Sequence, residues 1–257
     1  MSQPDFTPDP SGSPPAAAVR MADATRTYRV AAAAVVATAR ATATVECAGR
    51  EHLLAPHGVV VAANHVSLYD FLSTGAFVHG AGRPTRFLAK ASLFTVPVVG
   101  WVFRHAGQIR VERRQATAVD ALAEAGLAVQ LGECVVVYPE GTLTRDPDLW
   151  PMRGKTGAVR LALASGASVI PLAQWGGAAV WPRSRRLPRP LPRRTVRCLA
   201  GPPVDLSDFV GQTFTEELLR AATERVMVAI TDLVAVLRGA EPPTCRWDPL
   251  LGRRIDS

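Results

Sequence analysis

Residues 58–70 read G-V-V-V-A-A-N-H-V-S-L-Y-D. The run at 58–63 is apolar and bounded by a glycine, which is the pattern of a buried strand. It ends on an asparagine, a histidine and, five residues later, an aspartate. On a regular helix that gap is roughly 500°, leaving His65 and Asp70 about 140° apart. The two side chains meet only if His65 lies on the turn after the strand and Asp70 in the first turn of a following helix. Ser67 is available as an N-cap for such a helix, and Asn64 is placed to buttress the turn. Histidine suits general-base work near neutral pH, and a carboxylate on its other ring nitrogen fixes the tautomer. The spacing alone fixes only two residues, so a solvated His and Asp on a loop is the competing reading.

Further apolar runs follow at 85–89, 107–111, 133–138 and 168–173, separated by helical stretches at 116–132 and 156–165. This alternation predicts an α/β fold: a single domain with a mixed, mostly parallel sheet flanked by helices. Ligands of open α/β sheets gather at the carboxyl ends of strands. Two other strand ends carry chemistry. In V-V-V-Y-P-E-G-T (135–142), Pro139 and Gly141 enforce a turn that brings Glu140 and the Thr142 hydroxyl to the same edge as His65. In G-Q-I-R-V-E-R-R (107–114), Arg110, Arg113 and Arg114 offer planar forks suited to phosphate. Each of these, taken singly, also fits a surface turn or a solvated charge.

The chain has 257 residues, of which 48% are hydrophobic, enough for one sizeable core. Its net charge of +7 points to an anionic partner: nucleic acid, acidic lipid or a phosphorylated substrate. Of the 29 basic residues only Lys90 and Lys155 are lysines, so arginine enrichment from genomic base composition is a second source of that charge. The four cysteines form no CxxC or Cys/His cluster, which argues against a metal site or a disulfide framework. Gly154-Lys155-Thr156 imitates the end of a P-loop, but Leu149 occupies the required first glycine. Gly80 and Gly82 begin a dinucleotide pattern that fails at Thr85. No G-x-S-x-G elbow is present.

Taken in order, these strand ends resemble the glycerolipid acyltransferases, the PlsC-like lysophosphatidate acyltransferase family. The NHxxxxD block is matched by Asn64, His65 and Asp70, and GxxFIxR by Gly107, Val111 and Arg113, with Arg110 replacing the usual aromatic. An FPEGTRS-like block is matched by Tyr138, Pro139, Glu140, Gly141 and Thr142, with Leu143 where a basic or small polar residue is common. A fourth block, an apolar strand ending in proline, is matched by Val169, Ile170 and Pro171. The resemblance spans about residues 50 to 180.

It implies a His65/Asp70 dyad that deprotonates an acceptor hydroxyl, which attacks an acyl thioester without a protein nucleophile. It implies Arg113 as the clamp on an acceptor phosphate, with Lys90 or Arg110 adding contacts. Glu140, Gly141 and Thr142, with Asn64, would shape the acceptor site. The implied substrates are a lysophosphatidic acid and acyl-CoA or an acyl carrier protein, with no cofactor and no metal. Two other readings stand beside it: an acyltransferase for another lyso-lipid or amino-lipid, and a catalytically silent lipid-binding relative.

The expected domain layout has a disordered, proline-rich tail at 1–20 and an N-terminal helical, membrane-associating extension at 21–48, helical over 25–47. The catalytic domain follows at 49–240 and a C-terminal tail at 241–257. Thr213 and Glu216 have capping-box spacing ahead of an amphipathic helix carrying Leu219, Ala222, Val226, Ile230, Leu233 and Leu237. No stretch of 18 apolar residues occurs. The apolar segment 93–103 and the Arg/Pro loop 182–194 instead predict peripheral or monotopic attachment to an anionic surface, at the cytoplasmic face of the cell membrane. The loop lacks interleaved aromatics, which argues against nucleic acid.

Overall fold

The valine run forms the middle of the sheet. In a computed structural model describing residues 24–112, 115–185 and 187–255, strand β2 (Val59–Ala63) is buried along its whole length. It pairs in parallel on both sides, with β5 (Cys134–Val137) and with β6 (Ser168–Trp175). A strand covered on both faces has no solvent side, which is why its sequence is continuous rather than alternating. The remaining strands are β1 (Ala43–Ala48), β3 (Thr85–Lys90), β4 (Ile109–Val111) and β7 (Arg194–Ala200), in the order β1-β7-β6-β2-β5-β3-β4. Within this seven-stranded sheet, among the described residues, only the β6–β7 pairing is antiparallel, so the sheet is mixed and mostly parallel. The expected 1–20 tail lies outside the described residues.

Helices cover both faces. On one, Val60, Val135 and Val169 pack against α4 (Gln115–Gln130), α5 (Gly157–Ser165) and α7 (Glu216–Arg238). On the other, Val61, Val136 and Ile170 pack against Phe77 and Val78 of α2 (Asp70–Gly80). Helix α1 (Arg26–Thr42) lies on α2: the Tyr69 hydroxyl donates to the Ala39 carbonyl at 2.7 Å, and the Tyr28 hydroxyl accepts from the Thr85 amide at 2.6 Å. Helix α3 (Pro97–His105) and the short α6 (Gly177–Val180) complete the strand-end connections.

Three local expectations need correction. The helix read over 25–47 stops at Thr42, because residues 43–48 join the sheet in parallel register with β7. Pairing with a neighbour overrides alanine's helix preference, and the Arg193 guanidinium marks the change by donating to the Ala43 carbonyl and the Thr44 hydroxyl. The cap of α7 is Thr215, whose hydroxyl accepts from the Leu218 amide at 3.1 Å; Thr213 lies outside the helix. Residues 241–257 include a hairpin, β8 (Arg246–Asp248) and β9 (Arg253–Ile255). No helix among the described residues is long and apolar enough to cross a membrane.

Candidate active site

Strand β2 delivers Asn64 and His65 to the carboxyl edge of the sheet, and the chain turns over residues 66–69 into α2. That turn brings the ring and the carboxylate together: His65 Nδ1 lies 2.9 Å from Asp70 Oδ2. A carboxylate oxygen only accepts, so in this bond Nδ1 is the donor and Nε2 is the ring nitrogen outside it. The same Oδ2 accepts the amides of Val66 at 2.6 Å and Ser67 at 2.8 Å, so Asp70 itself closes the turn. The expected Ser67 N-cap is not formed: the capping position is Tyr69, without a side-chain cap bond. The Ser67 hydroxyl instead accepts from the Tyr69 amide at 3.0 Å within the turn, where Asp70 already takes the turn amides. Asp70 is fully buried, while the His65 side chain keeps 20% of its surface. A Cβ at Gly177 would stand 3.0 Å from Asp70 Oδ1, so glycine is what admits α6 against the carboxylate.

The histidine is also held by its ring face and its backbone. Its ring stacks on Tyr138 with centroids 4.2 Å apart. Burial pushes the Tyr138 phenol well above its ordinary range, so it stays neutral beneath the imidazole. The His65 amide donates to Glu140 Oε1 at 2.8 Å, and its carbonyl accepts from the Thr144 amide at 2.7 Å. Glu140 is buried, and its Oε2 accepts from the Met152 amide at 3.0 Å. Burial raises its carboxyl to about 8, against the two backbone donors that favour the charged form. Asn64 is buried and pairs reciprocally with the main chain of Gln174, through Nδ2 to the carbonyl at 3.0 Å and from the amide to Oδ1 at 2.7 Å.

The other residues singled out in the sequence spread along the same edge. Gly141, at φ +67°, turns the chain where a Cβ would meet Lys155 Nζ at 2.9 Å, so the glycine lets that ammonium approach the turn. Thr142 is half-buried beside it. Lys90 ends β3 and is exposed. Arg110 is exposed on β4 and ion-pairs with Glu112 at 2.5 Å. Arg113 lies outside the described residues. Sequence reasoning passed over Gln174 and Ser73, and considered Lys155 only as a P-loop imitation. The Ser73 hydroxyl donates to Gln174 Oε1 at 2.5 Å, so both belong to the wall behind Asn64. The available signal was a lone glutamine in the otherwise apolar S-V-I-P-L-A-Q-W, a buried polar group in need of partners. Among the described residues no group of three or more His, Cys, Asp or Glu could hold a metal.

A family model described as Acyltransferase matches residues 44–175, just over half of the chain. The chain belongs to the acyltransferase family. Within the matched segment stand the His65–Asp70 pair, the Glu-Gly-Thr turn and Gln174. This acyltransferase chain is 30% identical over 124 residues to the chloroplastic 1-acyl-sn-glycerol-3-phosphate acyltransferase BAT2 of Brassica napus, covering 48% of this chain and 34% of that protein. It is 31% identical over 125 residues to the 1-acyl-sn-glycerol-3-phosphate acyltransferase of Borreliella burgdorferi, covering 48% of each. The chain thus spans between a third and a half of the length of these relatives. Its fold is that of the 1-acyl-sn-glycerophosphate (LPA) acyltransferase PlsC from Thermotoga maritima, with a TM-score of 0.63 at 23% identity over 86% of this chain and 83% of the other.

Proposed function

We propose that the chain is a lysophosphatidate acyltransferase, moving a fatty acyl group from acyl-CoA or an acyl carrier protein to the free hydroxyl of a lysophosphatidic acid. The observation that carries this reading is the His65 Nδ1–Asp70 Oδ2 bond of 2.9 Å, which leaves Nε2 available at a strand end in a chain of this family. In the proposed reaction His65 Nε2 takes the proton as the acceptor oxygen bonds to the thioester carbonyl carbon. The tetrahedral intermediate then expels the thiolate, which takes that proton from His65. Asp70 offsets the imidazolium that forms between the two steps. Asn64 and Glu140, buried and bonded to backbone, act as positioning residues. Gly141 and Thr142 face the acceptor, Lys90 and Arg110 form its phosphate rim, and the family resemblance assigns Arg113 as the phosphate clamp.

A long-chain acceptor and donor need an apolar approach to that edge. The segment 93–103 supports one: Val98 is 75% exposed and Trp101 51%. In the loop 182–194, Leu187 and Leu191 are exposed among arginines. Apolar side chains beside cations suit the interface of an anionic leaflet, where each cation contributes on the order of 1 kcal/mol. Attachment at the cytoplasmic face of the membrane follows from that reading.

Thiol release from one acyl-CoA across a panel of lyso-lipid acceptors tests the activity. Lysophosphatidic acid is the expected best acceptor, and His65→Ala is expected to abolish turnover with the far-UV spectrum unchanged. A folded His65→Ala variant that still transfers would refute the mechanism. Flotation with anionic liposomes is expected to capture the chain at low salt and less of it at high salt; no capture at either would exclude the membrane reading.

A further inference from the structure

The loop that grips His65 is itself held by the C-terminal hairpin, which lies outside the segment shared with the family model. Between Glu140 and Met152 the chain makes an irregular excursion in which Leu149 adopts φ +62°. A leucine in the left-handed region is strained, and such positions persist only where surrounding contacts over-determine them. Internal bonds supply part of that: the Thr144 hydroxyl donates to the Trp150 carbonyl at 2.8 Å, and the Leu149 amide donates to the Asp146 carbonyl at 3.0 Å.

The rest comes from β8 and β9. Arg254 donates from Nε to Asp146 Oδ2 and from Nη2 to Asp146 Oδ1, both at 2.8 Å, and again from Nη2 to Asp148 Oδ2 at 2.7 Å. Asp146 is buried, so this planar, bidentate pair is anchored inside the protein rather than at its surface. One turn along, the Arg153 amide donates to the Trp247 carbonyl at 2.9 Å and its guanidinium pairs with Asp248 at 3.1 Å. Only Arg145 separates Asp146 from Thr144, whose amide holds the His65 carbonyl and whose hydroxyl accepts from the Asp146 amide at 3.2 Å.

We propose that Arg254 is a positioning residue for His65, acting through Asp146 and the 144–152 loop, so that the hairpin is a strap across the catalytic turn. The proposal rests on the reading of His65 as the base. The guanidinium fixes both oxygens of Asp146 at once; a lysine, a single point charge, cannot reproduce that. Loosening the loop shifts the histidine against its substrate, and misplacements near 1 Å can cost about a hundredfold in rate.

The test uses the full chain with Arg254→Met, Arg254→Lys, Asp146→Asn and the Asp146→Asn/Arg254→Met double variant. Arg254→Met is expected to lower kcat on the order of tenfold with KM for lysophosphatidate changed by less than about threefold. Arg254→Lys should recover only part of the loss, and the double variant should lose clearly less than the sum of the two single losses, because both substitutions remove the bidentate Arg254–Asp146 pair. In nitrogen-15-labelled histidine spectra, assigned with His65→Ala, the His65 Nδ1 proton should broaden or shift in Arg254→Met while the other histidines hold. Unchanged kcat with an unchanged His65 signal, or strictly additive losses in the double variant, would overturn the proposal. If Arg254→Met fails to fold, Arg254→Lys and Asp146→Asn carry the same two readouts. Absence of transfer by the unaltered protein would overturn the lysophosphatidate reading instead, while the His65 signal would still report on the strap.

Discussion

The ends of β2 and β3 lie on one edge of the same sheet, with only β5 between them, yet they are built by opposite rules. At the end of β2 Asn64 and Asp70 are buried and the polar groups are tied down: Asn64 to Gln174, His65 through its amide, carbonyl and ring, Asp70 through three donors to one oxygen. At the end of β3 Lys90 stands exposed, Arg110 ion-pairs with Glu112 just past β4, and the apolar residues of α3 face outward. The first region has its orientational cost met at folding, which is what a general base needs. The second keeps its freedom, which suits a lipid whose chains vary while its phosphate does not. Catalysis and recognition should therefore respond differently to substitution.

The largest expected effect comes from Asp70→Asn. The amide offers donors where Val66, Ser67 and the imidazole already donate, so either the turn opens or the His65 tautomer inverts and Nε2 becomes protonated. Loss of kcat on the order of 10³- to 10⁴-fold is expected in the thiol-release assay, by analogy with other orienting carboxylates. A variant retaining a tenth of the rate would mean that the β2 end is no more preorganised than the rim.

Glu140 sharpens the same contrast through pH. Its folded-state carboxyl lies near 8, above the ordinary carboxylate value, so between those limits the folded chain holds a proton that the unfolded chain has released. The unfolded state then binds fewer protons, and stability falls as pH rises from about 5 to 8, by at most about 1.4 kcal/mol per pH unit. Glu140→Gln should remove that slope while losing one of the two backbone acceptors. Thermal melts across that range are expected to show a declining midpoint for the natural protein and a flatter, lower-starting profile for the variant. Parallel profiles would show that Glu140 is not the group responsible.

The central architecture was legible because its causes are local: five buried valines and alanines in a row, then a turn rich in polar side chains. The His65–Asp70 contact was legible from an angle, since only a strand-to-helix turn reconciles that spacing with proximity. β1 and β7 were not, because T-V-E-C after a long alanine run becomes a strand only when Arg194–Ala200 is there to pair with it. The same holds for Arg254: three basic residues near a terminus announce nothing until the fold sets Asp146, 108 positions earlier, against one of them. Gln174 sits between these cases. Its polarity in an apolar strand signalled a partner, and only the register of β2 with β6 identifies it as Asn64.

The smallest expected effects lie at the rim, and they separate two cations that look alike in sequence. Lys90→Ala is expected to raise KM for lysophosphatidate about threefold with kcat nearly constant, because an exposed ammonium contributes binding to ground and transition states alike. Arg110→Ala should change KM by less than about twofold. Its guanidinium is already neutralised by Glu112 at 2.5 Å, and exposed pairs of this kind contribute at most about 1 kcal/mol to anything they touch. Raising the ionic strength should shrink the Lys90 effect and leave the Arg110 effect almost unmoved. A larger loss from Arg110→Ala than from Lys90→Ala would mean that the Glu112 pair opens when the phosphate arrives. The rim would then be a switchable clamp, and Glu112→Gln should tighten KM by releasing the arginine in advance.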